Sequence, residues 1–138
     1  MLLNSKIPEI QMDRIIEGLG EFDSSEGPLK MYSRRGQCFT TTKFIAQLKE
    51  EEIKMIDDIK TKKIDDPEDT EGSYTFTDGC GNISLELSKL INERLQLYQC
   101  SAYQVRLGGA KGVLVTKPSL GEGVRLVELR PSQMKFKT

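Results

Sequence analysis

The 138-residue sequence contains no histidine and only three cysteines, and these two shortages remove much side-chain chemistry at once. Without imidazole there is no serine-type triad, no imidazole acid–base group and no histidine metal ligand. Cys38, Cys80 and Cys100 are odd in number and widely scattered, which argues against a disulfide framework and a zinc motif and fits a reducing compartment. Net charge is nearly absent too: 20 Lys+Arg stand against 21 Asp+Glu. No global field therefore draws nucleic acid, and any basic surface must be local. Long apolar runs are missing, since no segment reaches the roughly 18 apolar residues of a membrane span. Met1 to Pro8 lacks the basic flank and apolar core of a signal peptide. The expectation is a soluble intracellular protein with no membrane partner, its nuclear or cytoplasmic residence undetermined.

What is present has room for one modest domain. Met12, Ile15, Ile16 and Leu19 recur at helical spacing between Pro8 and the glycines Gly18 and Gly20, which predicts a short amphipathic helix. Phe22 to Tyr32 is richer in glycine, serine and proline, and Arg34-Arg35-Gly36 leads to Gln37-Cys38-Phe39: a loop entering a short strand. Phe44, Ile45, Leu48, Met55, Ile56 and Ile59 predict a second, longer helix, with Glu50, Glu51 and Glu52 on its solvated side. Asp65-Asp66-Pro67-Glu68-Asp69 marks a linker or exposed loop. After Gly72 the pattern changes. Tyr74 to Thr77 alternates as a strand, Asp78 to Asn82 reads as a tight turn, and Ser84 caps a helix bearing Leu87, Leu90, Ile91, Leu95 and Tyr98. Tyr103 to Leu107 and Val113 to Val115 flank Gly108-Gly109-Ala110-Lys111-Gly112 as a hairpin, and a last strand runs from Val124 to Leu129 before Arg130-Pro131-Ser132. Residues 1–71 thus form a helical approach segment with a linker, and residues 72–138 a β-rich portion.

Backbone N–H groups of Gly108 to Gly112, with Lys111 beside them, offer an anion-binding concavity, although such a turn is more often only a turn. Arg34, Arg35, Arg106, Arg125, Arg130 and Lys135 are candidates to line a basic groove, against the commoner reading of solvated surface charge. Tyr74, Phe76 and Tyr103 are candidates to stack bases, against the commoner role of half-buried strand aromatics in a core. The carboxylate pairs Asp57-Asp58, Asp65-Asp66 and Glu68-Asp69 read as solvated charge on a helix or in a loop. Asp78, before a glycine, suits an Asx-type turn.

The run Phe76-Thr77-Asp78-Gly79-Cys80-Gly81-Asn82-Ile83-Ser84, followed by Ala102-Tyr103-Gln104-Val105-Arg106-Leu107-Gly108-Gly109-Ala110-Lys111-Gly112-Val113, resembles the cellular RNA-dependent RNA polymerases of RNA silencing. Upstream, Arg35-Gly36-Gln37-Cys38-Phe39-Thr40-Thr41-Thr42 resembles the segment preceding that family's core, and Leu129 to Phe136 resembles its next block. The four blocks stand in the family's order and cover most of the chain.

The resemblance implies an α+β chain, N-terminal helices followed by part of a double-psi β-barrel, the first of the family's two. It implies an enzyme that copies single-stranded RNA into double-stranded RNA from nucleoside triphosphates, with silencing-pathway proteins as further partners. It also implies nucleotide or RNA contacts at Lys111, Arg106, Arg130 and Lys135, with Gly109 and Gly112 in the turn, and structural or accessory roles for Arg35, Gln37 and Asp78. Mg2+ or Mn2+ would serve the intact enzyme through an Asp-x-Asp-Gly-Asp motif. No such motif occurs in this sequence, so no catalytic residue and no bound metal are expected of this chain alone. The alternative is a non-catalytic RNA-binding or regulatory remnant of the family, or a truncated product without function.

Overall fold

The structure is a computed structural model that describes residues 14–15, 17–18, 20–21, 27–37, 41–61 and 74–136. Helix α1 (Pro28–Gln37) is followed, after residues 41–49 in no regular element, by a 3-10 turn (Glu50–Glu52) and strands β1 (Ile53–Met55), β2 (Lys60–Thr61), β3 (Tyr74–Thr75) and β4 (Cys80–Ile83). Helix α2 (Leu85–Leu95) leads to β5 (Ala102–Leu107), β6 (Ala110–Thr116) and β7 (Val127–Leu129), with 3-10 turns at Pro118–Leu120 and Pro131–Gln133. Five strands form one sheet in the order β1-β7-β4-β6-β5, and β2 and β3 form a separate pair. Within the larger sheet β1 runs parallel to β7 and β4 parallel to β6, while the β7–β4 and β6–β5 neighbours are antiparallel. The chain is thus of the α+β class.

Helix α2 forms as its sequence predicts. The Ser84 hydroxyl caps it by accepting the Leu87 N–H, and Gln96 ends it in the left-handed conformation at φ 52°. Its apolar face carries Leu87, Leu90 and Ile91 onto one side of the large sheet, against a core of Ile83, Tyr103, Ala110, Leu114, Val127 and Leu129. Each fully buried leucine there contributes roughly 1.5–3 kcal/mol. Tyr103 belongs to this core rather than to a stacking surface: its hydroxyl hydrogen-bonds Ser88 Oγ at 2.8 Å beneath the helix.

The segment before residue 60 departs from expectation. No helix spans Phe44 to Ile59; residues 41–49 belong to no helix or strand and Ile53 to Met55 joins the sheet as β1. The helical spacing there does not mark one buried face, because Phe44, Met55 and Ile59 remain 81%, 52% and 56% exposed. Pairing with β7 supplies backbone hydrogen bonds and buries Ile53 against the core, and this outweighs local helix propensity. The loop expected from Phe22 to Tyr32 is in part helix α1, which starts at Pro28 and ends with Arg34 and Arg35 in its last turn. Proline's fixed φ and the attraction of cations to the helix C-terminus favour those ends. Gln37 closes that helix instead of opening a strand, and Cys38 and Phe39 lie outside the described residues. So do most of the first predicted helix and the whole 62–73 linker.

Cys80, Gly81 and Asn82, expected in a turn, form most of β4, and the turn is confined to residues 76–79. Here glycine has a specific use: a Cβ on Gly81 would lie 2.3 Å from the Glu128 carbonyl. The hairpin between β5 and β6 turns on Gly108 and Gly109 alone, both at positive φ (47° and 77°), while Ala110, Lys111 and Gly112 already belong to β6. The last strand is shorter than expected, beginning at Val127.

Candidate phosphate-contacting hairpin

Strand alternation divides the large sheet into a face under α2 and an open face. In register across β5 and β6, Arg106 stands opposite Lys111, Gln104 opposite Val113 and Ala102 opposite Val115. Thr116 N donates to Ser101 O and Val113 N donates to Gly79 O, so residues 101, 103, 105 and 107 of this stretch turn their backbone groups toward β6. Arg106 and Lys111 are therefore a non-hydrogen-bonded pair, the closer kind, with Cα atoms about 4.5 Å apart. Both are half-buried, and among the described residues neither has a hydrogen-bond or ion-pair partner. Like charges directly opposite destabilise a ladder.

Lys135 reaches the same end of the hairpin. Its N–H donates to Gly109 O at 2.9 Å, Ala110 bridges Met134, and its ammonium donates to Ser132 O at 2.6 Å. The two glycines expected to face phosphate are hemmed in by the chain itself. A Cβ on Gly109 would meet the Phe136 carbonyl oxygen at 2.2 Å, and one on Gly112 the Gly79 oxygen at 2.2 Å.

Arg130 stands apart. It is 8% exposed, donates through Nη1 to the Asp57 carbonyl and leaves Nε buried without a partner. It opens a turn in which Gln133, fully buried, accepts the Arg130 N–H at 3.0 Å and donates to Val113 O at 3.3 Å. Asp58 fastens the outside of that turn by accepting the Ser132 N–H and hydroxyl at 3.0 and 2.7 Å and the Thr77 hydroxyl at 3.0 Å. Burial pushes the Asp58 carboxyl up, but the bonds from Ser132 and Thr77 and the Arg130 charge hold it below the usual range. The expectation that Asp57-Asp58 is solvated helix charge is therefore corrected for Asp58. With no helix there, its carboxylate joins β1's exit to a turn far along the chain, a contact without local signal. Asp65, Asp66, Glu68 and Asp69 lie outside the described residues.

The remaining candidates scatter. Arg125 pairs with Glu52 at 3.0 Å and donates to Gln47 O, so the six cations do not line one groove. Arg35 is half-buried in the last turn of α1, and the side chain of Gln37 is outside the described set. Asp78 is exposed in the turn closed by Cys80 N donating to Thr77 O. Tyr74 and Phe76 are exposed and meet edge-on at 5.1 Å. Sequence reasoning missed Glu128, buried in β7 and held by Asn82 at 2.8 Å and Lys117 at 3.2 Å. Burial raises its carboxyl, while those bonds and the charges of Lys117 and Lys54 outweigh burial and lower it. A charged residue between two apolar strand neighbours was its only signal.

Among the described residues no three acidic, cysteine or histidine side chains converge as metal ligands. They do not fit a two-metal centre. Nor is any helix among them long and apolar enough to cross a membrane.

The fold sets the class. The chain superposes on the RNA dependent RNA polymerase QDE-1 from Thielavia terrestris with a TM-score of 0.67 and 24% identity, over 88% of this chain and 12% of that one. Its mixed five-stranded sheet is the part of a double-psi β-barrel expected from the sequence. The family model for RNA dependent RNA polymerase matches residues 2–138, and the chain belongs to that family. It is 35% identical to the probable RNA-dependent RNA polymerase SHL2 of rice, over 92% of this chain and 10% of that protein. It is 34% identical to RNA-dependent RNA polymerase 1 of fission yeast, over 94% of this chain and 10% of that protein. The chain thus spans about a tenth of the length of the curated relatives it matches.

Proposed function

We propose that this chain acts as part of an RNA-silencing polymerase that copies single-stranded RNA into double-stranded RNA, with the β5–β6 hairpin contacting phosphates of RNA or of nucleoside triphosphates. The observation that carries the proposal is the Arg106–Lys111 pair: two cations forced side by side with no carboxylate among the described residues to neutralise them. A phosphate between them would turn a repulsive pair into two charge-assisted contacts. Lys135 adds a third cation at that end. Mg2+ or Mn2+ would be held by an aspartate motif that this sequence does not contain, so the chain contributes binding and charge neutralisation and not the metal chemistry. A non-catalytic RNA-binding remnant would use the same pair.

The test is fluorescence anisotropy of the full chain with a labelled single-stranded RNA across a salt series. With two phosphate contacts the slope of log K against log salt should be near −1.4, and Lys111→Ala should reduce it by roughly 0.7. Binding indifferent to salt, or equal with and without Lys111, would refute the reading. Nucleotide incorporation by the chain alone, and by the chain mixed with the part of the fission-yeast relative outside the matched stretch, separates partial enzyme from remnant. Activity only in the mixture, lost in Lys111→Ala, supports the enzyme. Activity from the chain alone overturns the division of labour, and an inactive mixture whose components both bind RNA favours the remnant.

A further inference from the structure

The face of the large sheet away from α2 carries a second polar cluster besides the hairpin cations. Ile53, Ile83, Val127 and Leu129 point toward the core, so Lys54, Asn82 and Glu128 point the other way. They stand in one row: Glu128 is in register with Lys54 of β1 on one side and with Asn82 of β4 on the other. Glu128 is only 6% exposed, and its two oxygens are used unequally. The Asn82 amide and the ammonium of Lys117, just past β6, both donate to Oε2, at 2.8 and 3.2 Å. Oε1 has no partner among the described residues and is not sealed from solvent. Lys54 is exposed and among those residues has no hydrogen bond or ion pair. Alternation puts Arg106 and Lys111 on this same face, with Lys111 roughly 16 Å from Glu128 by strand spacing and rise.

We propose that Glu128 reads ribose: its free Oε1 accepts the 2′-hydroxyl of a single-stranded RNA nucleotide whose flanking phosphates meet Lys54 and Lys117. The inference rests on the RNA-binding reading and adds what the hairpin cannot supply, because phosphates are the same in RNA and DNA. A carboxylate oxygen accepts and does not donate, so it selects a hydroxyl donor, as acidic residues do for ribose in dinucleotide sites. Deoxyribose has no such donor. Two ammonium groups beside the carboxylate disfavour a metal ion or an amine at Oε1 and attract a ligand that carries negative charge around a neutral donor. An RNA backbone has that composition. Burial raises the Glu128 carboxyl, but the bonds from Asn82 and Lys117 and the charges of Lys117 and Lys54 hold it below its ordinary range, so near neutrality it is ionised and purely an acceptor.

The full chain is titrated by fluorescence anisotropy with labelled single strands of one sequence, made as RNA, DNA and 2′-O-methyl RNA. RNA should bind roughly tenfold more tightly than either of the others, the loss expected when one hydrogen bond to a charged group goes unmade. Glu128→Gln should abolish that preference. Asn82 and Lys117 would hold the amide oxygen at the Oε2 position, which puts the amide NH2, a donor, where the hydroxyl must be accepted. DNA affinity should stay level or rise, since a negative charge is lost. Lys54→Ala should weaken RNA and DNA alike and reduce the slope of log K against log salt by roughly 0.7 for both, leaving their ratio intact. Should Glu128→Gln fail to fold, NMR of the parent decides: the Asn82 side-chain amide, bonded to Glu128, should shift with RNA and much less with DNA. The proposal is overturned if the three strands bind alike, if the preference survives Glu128→Gln, if Lys54→Ala leaves the slope unchanged, or if the Asn82 amide shifts equally with RNA and DNA. A preference over DNA but not over 2′-O-methyl RNA points to sugar pucker and overturns it equally. Equal binding of the three strands with a slope that still falls in Lys111→Ala removes this inference and leaves the hairpin reading standing. A preference lost in Glu128→Gln with no effect of Lys111→Ala removes the hairpin contact and leaves this one, and no binding of any strand removes both.

Discussion

The β5–β6 hairpin and the Arg130–Gln133 turn both carry basic residues from the blocks that resemble the polymerase family, yet they are built on opposite electrostatic terms. At the hairpin, Arg106 and Lys111 face each other across the ladder with no anion among the described residues. At the turn, Arg130 is buried against the Asp57 carbonyl near the Asp58 carboxylate, and Gln133 and Ser132 are tied to Val113, Gly79 and Asp58. The first arrangement leaves charge for something else to neutralise. The second uses its polar groups to hold β1, β4, β6 and β7 together, with the buried Arg130 Nε the exception. The role of a cation here follows from its partners and not from its place in a motif.

Substitutions can break this contrast, beginning with the strongest. Gly112→Ala puts a Cβ 2.2 Å from the Gly79 oxygen, which accepts the Val113 N–H, so the start of the β4–β6 pair must separate. A loss of roughly 3 kcal/mol in urea denaturation is expected. Gln133→Leu preserves volume but orphans the Arg130 N–H and removes the side-chain bond to the Val113 carbonyl, for about 2 kcal/mol by the same measurement. A near-neutral result would mean that the turn is not the structural region.

Acid titration probes the same region more gently. The Asp58 and Glu128 carboxyls are lowered in the folded chain, so their stabilisation is present above the unfolded carboxylate pKa of about 4 and is lost as pH falls through the folded values. Thermal midpoints should be level near neutrality and drop below about pH 4, and the drop should be shallower in Asp58→Asn and Glu128→Gln, each already destabilised at neutral pH. The smallest effect belongs to the hairpin. Lys111→Ala removes a repulsion, so stability should stay within about 0.5 kcal/mol of the parent or rise slightly while RNA binding weakens. If Lys111→Ala costs as much as Gln133→Leu, the hairpin is also structural and the contrast collapses.

The elements legible in the sequence were those whose signals are local. Ser84 with the 3.6-residue spacing of Leu87, Leu90 and Ile91 specified α2, and alternation around Gly108-Gly109 specified the hairpin, because capping and turn geometry act within a few residues. Order of motifs identified the family. Tertiary structure decided the rest. It made β1 from a stretch with helical spacing by pairing it with β7 more than seventy positions away. It fixed the half-buried Asp58 by placing Ser132 against it, buried Tyr103 and left Tyr74 and Phe76 exposed. It also separated the candidate cations into a pair, Arg106 and Lys111, without neutralising partners among the described residues, and others bound within the fold. Composition and spacing fix which residues favour turns, caps and strands, but partner-dependent charge and burial arise only when distant segments meet, and those two quantities separate an unneutralised cation pair from a structural clamp.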